Sequence, residues 1–216
     1  MSKILYHSIG KIKLSGINEL DSVSFSNVLQ EILLFGLNLT CIKHKKRRYI
    51  IELHNYDAFS MVKFYPACAK YNSRKYELRG IHEIGFTISK QTFFEIVFQC
   101  ALLMKNYLDS HPYKFVGYIG QTDRIDFKRN KRTSQRSDVY NRITSSLFNS
   151  TEYQHATKEI FKEINLRLFR KTHPSSPNEL SVEQVENYNR ILNLFEENSE
   201  LLYELMTPLT RKEFLN

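Results

Sequence analysis

Apolar residues recur along the chain with two different periods, which predict a mixture of strands and helices. Short runs rich in Ile, Val, Phe and Tyr, bounded by turn residues, are typical of strands. Such runs occupy residues 3–14, 47–53, 58–65, 75–81, 114–119 and 161–170. A polar turn at 54–57 joins two of them, so we predict a hairpin that continues as an antiparallel meander. The last run also fits a helical face, but the alternation of Ile164, Leu166 and Leu168 favours a strand.

Apolar residues spaced three and four positions apart predict helices at 24–39, 89–110 and 137–148. Ser89 can cap the second helix, which must end before Pro112 because proline disfavours helical geometry in the residue before it. Apolar positions cover most of this helix, which is typical of a helix buried on more than one side. Residues 121–135 have almost no apolar side chains and predict a long exposed loop.

The C-terminal part of the chain predicts a helix with a marked start. Ser181 and Gln184 match a capping box, and Leu180 with Val185 can form the hydrophobic staple of the same start. The apolar stripe that follows must pack on the body of the protein or on another chain, including a second copy. We assign its partner-facing positions to Val185, Tyr188, Leu192, Phe195 and Leu202.

Together these elements predict an α+β fold. It has a central, mostly antiparallel sheet, one long buried helix packed on the sheet, and a C-terminal amphipathic helix. The predicted divisions are an α+β domain at residues 1–172, a linker at 173–178 and an acidic helical extension at 179–216. A chain of 216 residues, 42% of them hydrophobic, can bury an adequate core without disulfides or metals.

Cysteine usage and hydropathy indicate a compartment. Cys41, Cys68 and Cys100 are far apart, and we expect each to be a small buried apolar residue in a reducing environment. No stretch reaches the roughly 18 apolar residues of a membrane span, and the first residues lack a signal-peptide pattern. We therefore expect a cytoplasmic protein that has no membrane partner.

Charge is distributed unevenly along the chain. The net charge is +8, but residues 179–216 contain eight acidic and three basic residues, so the preceding 178 residues carry +13. This asymmetry permits either an anionic partner for the body or docking of the acidic extension onto the body.

Most catalytic signatures are missing from the sequence. It has no glycine loop of the Walker or dinucleotide type, no metalloprotease helix motif and no nucleophile elbow. No two of the seven histidines have the spacing of metal ligands, so we predict no metal site. The residues predict no cofactor either, and we favour a non-enzymatic binding protein.

Two basic runs remain as candidate binding sites. One, at 43–48, precedes a predicted strand; the other carries a net charge of +4 over residues 123–136 and contains Phe127. Arginine and lysine neutralise phosphates, and an aromatic ring can stack on an unpaired base, so the second run favours a nucleic acid or an acidic protein as partner. The alternative is a solvated loop. The candidate contacts are Arg124, Lys128, Arg129, Lys131, Arg132 and Arg136.

Two glycines and a tyrosine lie beside this basic loop. Gly117 and Gly120 either admit a close ligand or let a buried strand leave the core, and the second use of glycine is the commoner one. We expect Tyr140, in the next helix, to be a core residue rather than an acid catalyst.

The order of elements over about residues 43–171 resembles the core of the GNAT family of N-acetyltransferases. In both, a meander, a long helix, a strand, a short helix and a final strand follow one another. The resemblance implies acetyl-coenzyme A as cofactor and an amine as acceptor, and this acyltransferase is our alternative to the binding protein. The family's motif, Q/R-x-x-G-x-G/A, leads into the long helix, whereas residues 79–85 place Arg79, Gly80 and Gly85 at a different spacing. We therefore expect weak or no acetyl-coenzyme A binding.

Short pieces at 115–117, 131–133 and 139–140 are also similar to small uncharacterised bacterial proteins. That similarity implies no function.

Overall fold

The computed structural model describes residues 29–40, 46–72, 76, 88–119, 135–156, 158, 166–172 and 178–206. Within these residues, three α-helices surround one six-stranded sheet, so the predicted α+β class is confirmed. The helices are α1 (Lys90–Ser110), α2 (Gln135–Leu147) and α3 (Val182–Met206). The strands are β1 (Leu29–Thr40), β2 (Lys46–Tyr56), β3 (Phe59–Pro66), β4 (Phe115–Ile119), β5 (Tyr153–Ala156) and β6 (Leu166–Lys171).

The strand order in the sheet is β1-β2-β3-β4-β6-β5. Neighbouring strands are antiparallel except β3 and β4, which are parallel and are joined through α1. A parallel pair needs such a crossover because its second strand must start at the end where the first one started. The predicted mostly antiparallel sheet is therefore confirmed. The strand predicted at 114–119 belongs to it, as does the described part, 166–170, of the strand predicted at 161–170.

One face of the sheet packs against α1 and α2. Because successive strand residues point to opposite faces, alternate residues of β2 and β3 meet the inner side of α1 on this face. Ser89 caps α1 as predicted: its hydroxyl accepts a hydrogen bond from the Thr92 amide at 3.1 Å. The long buried helix is thus confirmed. Its buried apolar residues are Ile96, Val97, Cys100, Ala101, Met104 and Leu108.

The opposite face packs against α3. Ile191 and Phe195 of α3 are fully buried there, with Phe59 and Phe115 of the sheet among their cluster. The predicted capping box is present. The backbone N–H of Gln184 donates to Ser181 Oγ at 3.2 Å, and the backbone N–H of Ser181 donates to Gln184 Oε1 at 3.3 Å. The part of the apolar stripe from Tyr188 to Phe195 therefore packs on the body of its own chain.

The helix predicted at 24–39 is wrong where it can be checked, because residues 29–40 form β1. Leu33, Phe35, Leu37 and Leu39 alternate onto the α1 face, with the last two buried. The apolar residues of this segment fit a spacing of two as well as a spacing of three and four. Pairing with β2 along the whole strand decides the conformation. β1 thus takes the outer place in the meander.

Other predictions meet the described residues only in part. Of the strand predicted at 75–81, only Tyr76 is described, and it lies in a turn. The predicted strand at 3–14 and loop at 121–135 lie outside the described residues, except Gln135, which begins α2. β5 was not predicted at all.

Cysteine burial differs between positions. Cys100 is buried in α1, but Cys68 is exposed in the short 3-10 turn Ala67–Ala69, so the expectation of burial is wrong for Cys68. Burial raises the pKa of the Cys100 thiol to about 12, which keeps it protonated and unreactive. Cys41 lies outside the described residues.

A polar network fixes the end of α1 to the β5–β6 hairpin. Asp109 Oδ1 accepts hydrogen bonds from Tyr153 at 2.5 Å and from Lys171 at 2.7 Å, and Lys105 also approaches its carboxylate. Burial opposes ionisation of Asp109, but the donors from Lys171, Tyr153 and Lys105 outweigh it and lower the pKa to about 2. No described helix is long and apolar enough to span a membrane.

Candidate ligand-binding site

The parallel pair β3 and β4 is joined over a short distance only. Its ladder contains three residue pairs, from Phe59 opposite Phe115 to Met61 opposite Gly117. Both strands then continue, β3 to Pro66 and β4 to Ile119, with no further pair between them in the described part of the chain. We call the two unpaired strand ends, residues 62–66 of β3 and 118–119 of β4, the opening.

On the α1 and α2 side, the opening is packed with buried aromatic residues. Tyr118 of β4 stacks on Tyr140 of α2 with ring centroids 4.0 Å apart, and its hydroxyl donates to Asn141 Oδ1 at 2.9 Å. Phe64 of β3 meets Phe93 of α1 at 5.8 Å. Tyr140 is buried in the core, as the sequence predicts, and it fixes Tyr118 beside the end of β4.

A buried carboxylate lies next to the opening on the other face. Tyr65 donates to Glu52 Oε1 at 2.7 Å, while His54 Nε2 lies 2.8 Å from Glu52 Oε2, which also accepts from the hydroxyl of Tyr76. We call these four residues the Glu52 cluster. Burial, followed by the effects of Glu52, raises the pKa of both tyrosines well above the usual range, so both remain hydrogen-bond donors at neutral pH.

Sequence reasoning missed the Glu52 cluster, although a signal for it exists. Glu52 and His54 are two residues apart in the otherwise apolar stretch 49–54, so they share one face of β2. Two ionisable residues on one buried face need partners, because an unpaired buried charge is costly. Those partners come from β3 and from a distant turn, which the pattern of a single strand cannot reveal.

The opening lies at the end of the sheet whose connecting segments are rich in basic residues. The chain segments 41–45, 67–89, 120–134 and 157–165 all connect elements at this end, because β1, β3, β4 and β5 finish here and β2 and β6 start here. These segments contain thirteen lysines and arginines against six acidic residues. We call this end of the sheet the basic end. The segments at the opposite end, 57–58, 111–114, 148–152 and 172–181, contain one basic and three acidic residues.

The start of α1 also belongs to the basic end. α1 runs antiparallel to β3 and β4, so its N-terminus meets their carboxyl ends. The first turn of a helix has amide groups without partners inside the helix and carries partial positive charge. Lys90, which is exposed, adds a full charge at this point.

No protein-family model, curated protein or solved structure matches this chain.

The predicted polyanion contacts fall mostly outside the described residues. Arg124, Lys128, Arg129, Lys131 and Arg132 belong to the connection from β4 to α2, at the basic end. The backbone of Arg136 lies in the first turn of α2. Residues 79–85, where the acetyltransferase motif would stand, are also outside the described part.

The predicted partner face of α3 is placed in several environments. Phe195 is fully buried against the sheet, and Tyr188 and Leu192 are half-buried beside it. Val185 is 42% exposed and Leu180 packs against the sheet cluster instead, so Val185 is not part of the buried stripe. Leu202 lies in the helix. Among the described residues, no group of three or more metal-binding side chains comes together.

Proposed function

We propose that the protein binds an acyl-coenzyme A in the opening and acts as an N-acyltransferase of the GNAT type. The observation that carries this proposal is the early end of the ladder between the parallel strands. In open sheets, ligands bind outside the carboxyl ends of strands where the connections diverge. The pantetheine arm of coenzyme A is an extended chain with amide groups, which gives it the shape and hydrogen-bonding groups of a strand.

The strand order supports the same proposal. A meander, a crossover helix, a parallel strand, a second helix and a closing hairpin follow one another in one sheet. This order differs in two places from the one on which the resemblance to the acetyltransferases rests, because β1 takes the place of the strand predicted at 75–81 in the meander and β5 precedes the final strand. A fold alone does not determine an activity, so the proposal depends on the opening and on its surroundings.

The charge of the basic end suits the phosphates of coenzyme A. A pyrophosphate at the carboxyl end of β3 would meet the start of α1, where amide groups and Lys90 favour anions. The spacing of Arg79, Gly80 and Gly85 differs from the family motif, so the phosphates would be held more by charge than by a glycine loop. The motif alone predicts weak or no binding. We depart from that expectation because the strand order and the charge of the basic end support a site, and we expect micromolar rather than nanomolar affinity.

Isothermal titration calorimetry with acetyl-coenzyme A tests this function. We expect wild-type protein to bind with a dissociation constant in the micromolar range, and Lys90→Glu to weaken binding about tenfold by repelling phosphate. Arg142→Glu makes the same charge change at an exposed position within α2 and should alter affinity less than about twofold. Absence of binding at millimolar ligand would refute the proposal. Equal effects of the two variants would refute the placement of the phosphates at the start of α1.

A second function is favoured by the polarity of the sheet. The basic end would also attract a nucleic acid or an acidic protein without any catalysis, because phosphate contacts depend mainly on lysine and arginine density. The six candidate residues from Arg124 to Arg136 are the centre of this hypothesis. Its test is the salt dependence of oligonucleotide binding.

A further inference from the structure

Tyr76 makes several contacts with the sheet from within the connection between β3 and α1. Its hydroxyl donates to Glu52, and its ring meets the ring of Tyr65 edge-on at 5.6 Å and that of His54 at 6.5 Å. Lys63 Nζ lies 4.9 Å from the centre of the same ring. Tyr76 is thereby held by two adjacent strands, since Glu52 and His54 belong to β2 while Lys63 and Tyr65 belong to β3.

We propose that Tyr76 is a positioning residue, which anchors the β3–α1 connection to the Glu52 cluster beside the opening and so sets the affinity of the site. The connection runs from Pro66, at the end of β3, to Ser89, which caps α1. Tyr76 fixes one point of that path to the sheet. The effect on affinity rests on the proposed function, whereas the anchoring itself does not.

The chemistry of the Glu52 cluster makes this anchor specific. Glu52 is 4% exposed, so its carboxylate cannot rely on water and depends on donors from the protein. Hydrogen bonds to a charged acceptor are stronger than neutral ones, and Tyr76 supplies one of them from outside the sheet. Tyr65 supplies an equivalent bond from within β3. The two tyrosines therefore share a chemical role and differ in what each one holds.

Limited trypsin digestion, with cleavage products identified by mass spectrometry, tests the anchor without any ligand. Arg74, Lys75 and Arg79 provide cleavage sites on both sides of Tyr76. We expect Tyr76→Phe to accelerate cleavage at these sites at least fivefold. Tyr65→Phe, which removes the matching hydrogen bond to Glu52, should change cleavage there less than twofold. Equal acceleration by the two variants, or none by Tyr76→Phe, would overturn the proposal.

The affinity part is tested separately by calorimetry with acetyl-coenzyme A. We expect Tyr76→Phe to weaken binding at least fivefold, whereas Tyr153→Phe, in the Asp109 network at the opposite end of the sheet, should leave affinity within twofold. If wild-type protein does not bind acetyl-coenzyme A, the proposed function fails while the digestion result still decides the anchor. If wild-type protein binds and Tyr76→Phe binds equally well, the positioning role is wrong.

Discussion

A side chain at Gly117 would collide with the neighbouring strand. A Cβ atom built on Gly117 lies 2.0 Å from the carbonyl oxygen of Arg167 and 2.8 Å from Leu168 Cδ2. The close approach of β6 to β4 therefore requires glycine at this position. This packing explains Gly117 without a ligand and without a turn of the strand out of the core. Gly36 differs, because a Cβ there would meet only the flexible side chain of Arg48, at 3.4 Å.

We predict that Gly117→Ala destabilises the protein by about 3 kcal/mol, because the added methyl group must displace a strand backbone rather than a side chain. Gly36→Ala is the matched control, and we expect it to change stability by no more than about 0.5 kcal/mol. Urea denaturation followed by circular dichroism measures both. A Gly117→Ala variant as stable as Gly36→Ala would show that β4 and β6 are not as close in solution.

At the scale of elements, α3 is stabilised mainly by the side chains that it buries on the sheet. Phe195 meets Phe59 at 5.8 Å, and Gln184 Nε2 donates to the carbonyl oxygens of Lys171 at 2.7 Å and Pro112 at 2.9 Å. These contacts fix both the start and the middle of the helix to the body. Helical propensity alone gives little stability in water, so the buried contacts must supply most of it.

We predict that Phe195→Ala destabilises the protein by about 3–5 kcal/mol, the usual cost of removing a buried aromatic side chain. Leu192→Asp should also destabilise it, because a charge would enter a half-buried apolar surface. Val185→Ala, at an exposed position of the same helix, is the control and should lie within about 0.5 kcal/mol of wild type. Thermal and urea denaturation measure all three. A Phe195→Ala variant as stable as wild type would show that burial of this side chain contributes little to holding α3 on the sheet.

The sequence predicted correctly the features that depend only on residues close together in the chain. The cap at Ser89 and the capping box of Ser181 and Gln184 depend on residues three apart, and both were found from sequence. β1 was mispredicted because its apolar residues fit two periods, and only pairing with β2 separates them. β5 has four residues, of which Gln154 and His155 are polar, and forms because it pairs with β6.

The candidate site was predictable only in part for the same reason. The basic loop is contiguous in sequence and was recognised from its charges. The opening arises from the length of a ladder between two distant strands, and the Glu52 cluster joins Tyr76 to β2 and β3. No periodicity in a single segment indicates either arrangement.

Considered as a whole, the chain has connecting segments of opposite net charge between the elements at the two ends of its sheet. Thirteen basic residues against six acidic ones lie in the connections of the basic end, whereas the opposite end has an excess of acidic residues. The two basic runs found in the sequence, at 43–48 and 123–136, are far apart in the chain, but the strand directions bring them to the same end. Such a separation of charge steers anionic ligands toward one end of a protein.

If this end binds nucleic acid, we predict that Arg129→Glu with Arg132→Glu removes most of the affinity for a short oligonucleotide. Wild-type affinity should fall steeply with salt, and the double variant should lower the slope of log affinity against log salt by about 2, one for each lost phosphate contact. Arg142→Glu with Arg190→Glu makes the same charge change at two exposed helix positions and is the matched control. Fluorescence anisotropy at several salt concentrations gives both quantities. Acetyl-coenzyme A should compete with the oligonucleotide, because both would use the charge of the basic end. Affinity that is equally weakened by both double variants would show that net charge and not this loop attracts the nucleic acid. Affinity that is insensitive to salt would show that phosphate contacts do not carry the binding.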